Sequence, residues 1–416
     1  MVGVWNKAII AAAMLLALLL QSRAAAYVTL ANNGPSSNRV DIVFVGDGYR
    51  QADIDSGIYA AHIQTMLDHM FSPSSLDGYF FGRYESFFNI FRVDVVSVDN
   101  GADKGNYGTT RNTALDATYY YDGTTERLLY LSTSKANTAV TTALQGSGIV
   151  ADMKIATVND TKYGGGGQVS SNAWAVYAGG SSSSAEIALH ELGHSFAGLA
   201  DTYAYNTAPY TGTYTGPEPA STNATKNATG LKWSRWDGYT DPQTNIEIDV
   251  YEGAVYYQHG AFRPSDRSKM DTLGLAFDAV SREAFIDAIY AKVRPLDSYF
   301  SNATPITDIS SLWVDTVDPE VILVNWFING ILAGAGENPN LTGLTLAQGL
   351  HTVAAVAYDS LLDHDFTGDG LDWWRLDDSH LTQTIVWQLV IPEPATAILL
   401  GGFLFAAILR RRRCPA

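Results

Sequence analysis

The stretch Ser183-Ser184-Ala185-Glu186-Ile187-Ala188-Leu189-His190-Glu191-Leu192-Gly193-His194-Ser195-Phe196-Ala197-Gly198-Leu199-Ala200-Asp201 decides how the rest of the chain reads. Its apolar residues recur at helical spacing, the serines from Ser181 to Ser184 stand where a cap belongs, and Gly198 can end the helix. On that helix His190 and His194 lie one turn apart on the same face, so two imidazoles can converge on one ion. Glu191 beside them is placed to activate a water at such an ion.

Two histidines one turn apart can also be ordinary surface residues, and His-Glu-x-x-His arises by chance in unrelated chains. Here Ile187, Ala188, Leu189, Leu192, Phe196 and Leu199 make the helix apolar on most sides. A polar trio buried on such a helix needs a partner that offsets its desolvation, and a metal is the obvious one. The pattern is a zinc peptidase signature. Catalytic zinc keeps three protein ligands and one open position, and Asp201, swung back after Gly198, is the best candidate for the third. The metzincin order is His-Glu-x-x-His-x-x-Gly-x-x-His. Gly198 and Asp201 each fall one place later than that order requires, and Ala200 stands where its last histidine would be.

The two ends point out of the cytoplasm. Met1 to Ala26 reads as a secretory signal: Lys7, the apolar run Ala8 to Leu20, then Ala24-Ala25-Ala26. Its apolar core is short for a membrane anchor. At the other end Pro392-Glu393-Pro394 precedes the apolar run Ala395 to Leu409 and Arg410-Arg411-Arg412-Arg413. That layout resembles the PEP-CTERM sorting tail, which implies an exosortase-type processing enzyme, a membrane contact through the tail, and an envelope, surface or matrix location in a Gram-negative bacterium. An ordinary C-terminal transmembrane helix is the alternative, for which the run is rather short.

Lys7, Arg23 and the four terminal arginines lie in end segments without acidic residues (Met1 to Ala26, Arg410 to Ala416), so removing them takes the charge from −17 to −23. So acidic a body repels nucleic acid and argues against a polyanionic substrate; basic or neutral peptides suit it better. The single cysteine, Cys414, lies in the tail. The body therefore holds neither a disulfide nor a thiol for catalysis or metal binding.

Along the chain, Val40 to Tyr49 followed by Ile54 to Met70 reads as strand, turn, helix. Similar runs recur at Phe91 to Val98, Arg127 to Leu131 before Ala136 to Leu144, Lys154 to Val158, and Ala173 to Tyr177 ahead of the histidine helix. The expectation is an α/β domain, 27–300, with the metal helix on a mixed sheet. Thr202 to Gln258 turns irregular and reads as a substrate-contacting loop, a poorly ordered insertion being the alternative. Asn223-Ala224-Thr225 and Asn227-Ala228-Thr229 match glycosylation acceptors, a match without meaning beside a bacterial tail. A small β-sandwich is expected at 301–390, from runs at Trp313-Val314, Val321 to Phe327, Leu341 to Leu346, His351 to Tyr358 and Thr384 to Leu389, with Asn329-Gly330 as a turn. The tail occupies 391–416. In the loop Asp363 to Asp372, oxygen ligands alternate around a glycine as in calcium loops, but Trp374 stands where an EF-hand has its final glutamate.

From roughly Val40 to Ala291 the chain resembles the IgA-peptidase family of metzincin-like zinc metallopeptidases, family sixty-four. The resemblance is carried by Val45-Gly46-Asp47-Gly48-Tyr49, Phe87 to Val93, His190 to Tyr203, Glu218-Pro219, Lys232-Trp233, Glu252-Gly253-Ala254, and Gly260 to Pro264 leading to Ser268-Lys269-Met270. It implies an endopeptidase acting on protein or peptide substrates, with zinc held by His190, His194 and Asp201, Glu191 as general base, and Met270 in the methionine turn below the ion. Two positions depart from the family pattern: Thr202 where it has glutamate, and Ser268 where it has cysteine. A non-catalytic binding module is the main rival, against which the intact base and histidines speak. A serine hydrolase built on Ser181 to Ser184 lacks the strand-to-helix nucleophile elbow.

Overall fold

The computed structural model describes residues 27–105, 108–170, 173–363 and 372–393. The expected signal (1–26), the apolar and basic parts of the tail (394–416) and positions 364–371 of the calcium-like loop lie outside the described residues. Among the described residues, no helix is long and apolar enough to cross a membrane.

The strands β1 (Tyr27–Ala31), β2 (Val40–Asp47), β3 (Phe88–Val93), β4 (Met153–Val158), β5 (Gly165–Gly166) and β6 (Ala175–Ala178) form one sheet in the order β1-β3-β2-β4-β6-β5. Its four inner strands are parallel, while the edge strands β1 and β5 run antiparallel. β2 is buried along its whole length, which is why its middle, Ile42 to Val45, is entirely apolar while Asp41 and Asp47 are buried with it. Its helices are α1 (Gln51–Asp55), α2 (Ile58–Phe71), α3 (Gly78–Arg83), α4 (Thr133–Ala143), α5 (Ser184–Ser195) and α6 (Ala279–Tyr290). Ala136 and Val140 of α4 share a core with Val43 and Val45 of β2. α5 packs on β4, β5 and β6 and against α2, so the histidine helix rests on the sheet. At the end of β2 the buried Asp47 carboxylate accepts from Ser97 Oγ, Thr113 Oγ1 and the N–H groups of Leu115 and Ala117. Four donors satisfy a group that would otherwise be costly to bury, and they pin a long crossing segment.

A hairpin of β7 (Tyr251–Ala254) and β8 (Tyr257–Arg263) completes this region. Its two turn residues, Val255 and Tyr256, both have positive φ, 52° and 72°. That conformation suits Asn-Gly; for a β-branched valine it is strained.

Among the described residues two compact units emerge: those from 27 to 294 together with those between 360 and 381, and 295–359 together with 382–393. The second holds an antiparallel sheet in the order β12-β11-β13-β14, built from β11 (Ile322–Ile328), β12 (Ile331–Ala335), β13 (Gly349–Asp359) and β14 (Thr382–Ile391), and a two-stranded ladder of β9 (Leu296–Tyr299) and β10 (Val314–Thr316). Alternate residues of β11 are buried, and Trp326 stacks on Trp387 with centroids 5.3 Å apart. Asn329-Gly330 forms the β11–β12 turn with both φ positive.

Several expected boundaries move. Ser360–Leu381, expected in the 301–390 domain, belongs to the first unit: Trp373 packs on Tyr79 and Phe80, and the Arg375 N–H donates to Glu283 Oε1. Arg127 to Leu131 is not a strand but touches the chain through isolated bridges, Leu128 to Gly165 and Tyr130 to Thr118. Leu341 to Leu346 is irregular, and the helix expected over Ile54 to Met70 is two helices broken at Gly57.

Candidate metal centre

α5 carries His190 and His194 as the sequence requires, their rings perpendicular with centroids 4.9 Å apart. Each imidazole is aimed by a backbone carbonyl. His190 Nδ1 lies 2.9 Å from the Lys269 carbonyl oxygen, and His194 Nδ1 lies 2.7 Å from that of Leu199. A carbonyl can only accept, so each Nδ1 carries the hydrogen and each Nε2 turns a lone pair inward.

The turn after α5 brings the third group. Gly198 takes φ +67°, the Leu199 N–H returns to the Gly193 carbonyl at 2.8 Å, and Asp201 reaches the two imidazoles. Asp201 Oδ1 stands 3.1 Å from His190 Nε2 and 3.4 Å from His194 Nε2, is buried, and has no other polar partner among the described residues. Its other oxygen, Oδ2, accepts from the Tyr256 hydroxyl at 2.7 Å. Two lone pairs and a carboxylate oxygen facing one another at such distances repel unless a cation or a proton lies between them. Three ligands bound at about 2.0–2.1 Å in tetrahedral array stand roughly 3.3 Å apart, so the donor set fits a metal ion.

Electrostatics agree with this arrangement. Burial pulls the His194 imidazole down, but the Asp201 charge and contact, with Glu191 and the Leu199 carbonyl, push it up to about 9, a proton standing in for the cation. Burial alone would raise Asp201; the two histidines instead hold it well below the carboxylate range. Glu191 is pushed up by burial, against the pull of both histidines.

His190, Glu191 and His194 form a cluster whose ligand-type atoms lie within 4.8 Å of one another. Glu191 lies under a glycine run absent from the motif: a Cβ on Gly165 would stand 2.9 Å from Glu191 Oε1, and one on Gly167 2.9 Å from Oε2. Side chains there would fill the cradle of the carboxylate, and the four consecutive glycines from Gly164 to Gly167 were the available signal. The cavity beside it, about 210 Å³, is lined by His190, Glu191, Arg127, Tyr163, Tyr203 and Tyr205 among others.

Met270 is fully buried beneath α5, where a Cβ on Gly193 would stand 2.6 Å from its sulfur. The Met270 carbonyl accepts from Thr202 N–H, and Lys269, one residue earlier, aims His190. Asn223, read in sequence as a glycosylation match, is fully buried; its side chain bonds both the N–H and the carbonyl of Ala200 and so anchors the residue before Asp201. Ser183 at the N-cap makes no side-chain cap bond; its own N–H donates to Ser181 Oγ. The segment expected as a substrate loop contributes Tyr203 and Tyr205 to the cavity, while Trp233 and Trp236 are buried in a core with Ile248 and Val280.

The family model described as IgA Peptidase M64 matches residues 28–247, more than half of the chain. The chain belongs to that family. This M64 protein is therefore a metallopeptidase, a hydrolase, and its His-Glu-His cluster lies in the matched region. No curated protein matches the chain.

Proposed function

We propose that this M64 chain is an exported, zinc-dependent endopeptidase that hydrolyses peptide bonds in protein or peptide substrates. The observation carrying the reading is the convergence of His190 Nε2 and His194 Nε2 on Asp201 Oδ1. In this reading those three atoms hold the ion. A set of two imidazole nitrogens and a carboxylate oxygen at 3.1 and 3.4 Å from them would suit zinc. When bound, zinc supplies a Lewis acid that polarises the scissile carbonyl and acidifies the attacking water.

The chain's residues do the rest. Glu191 accepts the proton of the attacking water on its carboxylate and delivers it to the leaving amine nitrogen. Burial raises this carboxyl against the pull of His190, His194 and Arg127, the direction a general base needs. Tyr256 holds Asp201 through Oδ2 and keeps Oδ1 turned toward the imidazoles. The cradle of Gly165 and Gly167 leaves room for the carboxylate beside the substrate.

The signal at the start and the Pro392-Glu393-Pro394 tail support export and exosortase-type processing at a Gram-negative envelope, with the membrane met through the tail. No nucleic acid partner is proposed for so acidic a body. The alternating oxygens of Asp363 to Asp372 remain a candidate calcium loop, with no bearing on hydrolysis.

The test is elemental analysis of the purified chain together with cleavage of a mixed peptide library with and without chelator. One zinc per chain, chelator-sensitive cleavage, and Glu191→Gln keeping zinc while losing hydrolysis are expected. Zinc without cleavage would favour a binding module; absence of zinc would remove the central claim.

A further inference from the structure

Arg127 is a guanidinium beside the candidate site that makes no ion pair among the described residues, though its charge acts on Glu191. It lines the same cavity as His190 and Glu191, and also a wider groove of about 660 Å³ that includes Thr124, Lys162 and Tyr210. Arg127, Tyr163 and Tyr205 are common to both, so a peptide running from the groove to the metal centre passes the guanidinium. Its Nη2 donates to the hydroxyls of Tyr203 at 2.9 Å and Tyr205 at 3.0 Å, two neutral acceptors that fix it without cancelling its charge. Its Nε and Nη1 make no hydrogen bond among the described residues.

The other charges around the cavity are answered locally. Lys269 pairs with Asp77 and Glu186, Lys162 with Glu126, and Asp271 lies 3.7 Å from Arg263. Among the described residues no carboxylate lies within ion-pair distance of Arg127. In a chain of net charge −17, a half-buried arginine bonded to two neutral hydroxyls and paired with no carboxylate among the described residues keeps charge to offer a ligand, although its field also reaches Glu191. A planar fork with free donors matches one ligand group best, a carboxylate.

We propose that Arg127 is a specificity-determining residue that selects substrates carrying a carboxylate close to the scissile bond. That carboxylate is an aspartate or glutamate side chain; preference for the free C-terminus of the peptide would instead make the chain a carboxypeptidase. The proposal rests on the peptidase reading and sharpens it. The acidic body repels polyanions over long range, but at contact distance one positive group decides which residue is held.

The experiment uses the zinc-loaded full chain and fluorogenic peptides identical except for Glu, Gln or Lys, scanned along both sides of the cleaved bond, each as free acid and as amide. A charge-assisted pair contributes about 1.5–3 kcal/mol, so kcat/KM is expected to favour Glu over Gln by at least about tenfold at one position. If the free acid outruns the amide instead, the C-terminus is the group recognised and the proposal is overturned. Arg127→Gln should bring the preferred ratio close to one, and Arg127→Lys should keep part of it. An arginine that merely braces Tyr203 and Tyr205 would, on substitution, slow all peptides alike and leave the ratio intact, which overturns the proposal.

Binding separates this proposal from the peptidase reading. Glu191→Gln, expected to bind without cleaving, is titrated with the labelled Glu and Gln peptides by fluorescence anisotropy. Tighter binding of the carboxylate peptide supports the proposal even if the native chain cleaves nothing. Equal or undetectable binding sinks it.

Discussion

The hydroxyl of Tyr256 donates to Asp201 Oδ2 at 2.7 Å and leaves Oδ1 alone to face both histidines. Removing such an outer partner typically costs about ten- to a hundredfold in metal affinity. Tyr256→Phe keeps the ring packed against Tyr203 and Tyr205 and deletes only the donor. Zinc affinity measured against a competing chromophoric chelator should fall by that factor, with the thermal midpoint of the metal-free chain little changed. Unaltered affinity would mean that Asp201 needs no such support.

Gly193 and Met270 form a second coupled pair. A methyl group at 193 collides with a buried thioether, and overpacking of this kind costs about 1–3 kcal/mol. Met270→Ala alone leaves a cavity costing about 2–5 kcal/mol. Gly193→Ala combined with Met270→Ala should be less damaging than the two effects added, because each change makes room for the other. Urea denaturation of the four proteins measures the coupling; strict additivity would show that the two do not touch in solution.

Acid stability should depend on Glu186. Burial raises this carboxyl, but the contacts with His69, Lys269 and the Gly274 N–H outweigh it and bring it down to about 2. A group lowered on folding contributes stability that is present above its ordinary value, 4.5, and is lost as pH falls toward 2. Glu186→Gln should therefore be less stable than the native chain above about pH 5, and the gap should close as acid is added. Denaturation midpoints at several pH values would show it, and a gap that widens in acid would contradict the assignment. Asp77, also on Lys269, is pushed the other way by burial, which is why the difference between the two proteins is the informative quantity.

The hairpin turn at Val255 and Tyr256 is held against its own preference. A valine at φ 52° costs on the order of 1–3 kcal/mol. Val255→Asn tolerates that conformation and should raise the thermal midpoint, while zinc affinity stays as it was because Tyr256 remains in place. A lower midpoint would indicate that the valine side chain contributes more by packing than it loses in strain.

The histidine helix, its glycine stop and Asp201 were legible because they lie within one short stretch whose periodicity is set by the helix itself. The central strand β2 was legible for a similar reason, since burial on both faces leaves an apolar run. Tyr256, Asn223, Gly165 and Arg127 were not, because they reach the site from a hairpin turn, a two-residue strand and irregular chain, all distant in sequence and too short for a period to link residue type to position. The Gly164 to Gly167 run was visible in the sequence, but only the position of Glu191 gives it meaning. Ser360–Leu381 went astray because aromatic residues such as Trp373 read alike in either unit; its packing on Tyr79 is a long-range fact.

That return of the chain has a practical consequence for anyone cutting the gene. The path changes unit after Arg294, again after Asp359 and again after Leu381, so neither unit is a contiguous stretch. A stop codon placed at the first crossing would yield a fragment stripped of Trp373 and of the Arg375 amide that Glu283 accepts. A faithful minimal enzyme needs residues 360–381 spliced back onto 294 through a linker, and a nick within 295–359 should leave the two parts of the first unit associated without a covalent bond between them.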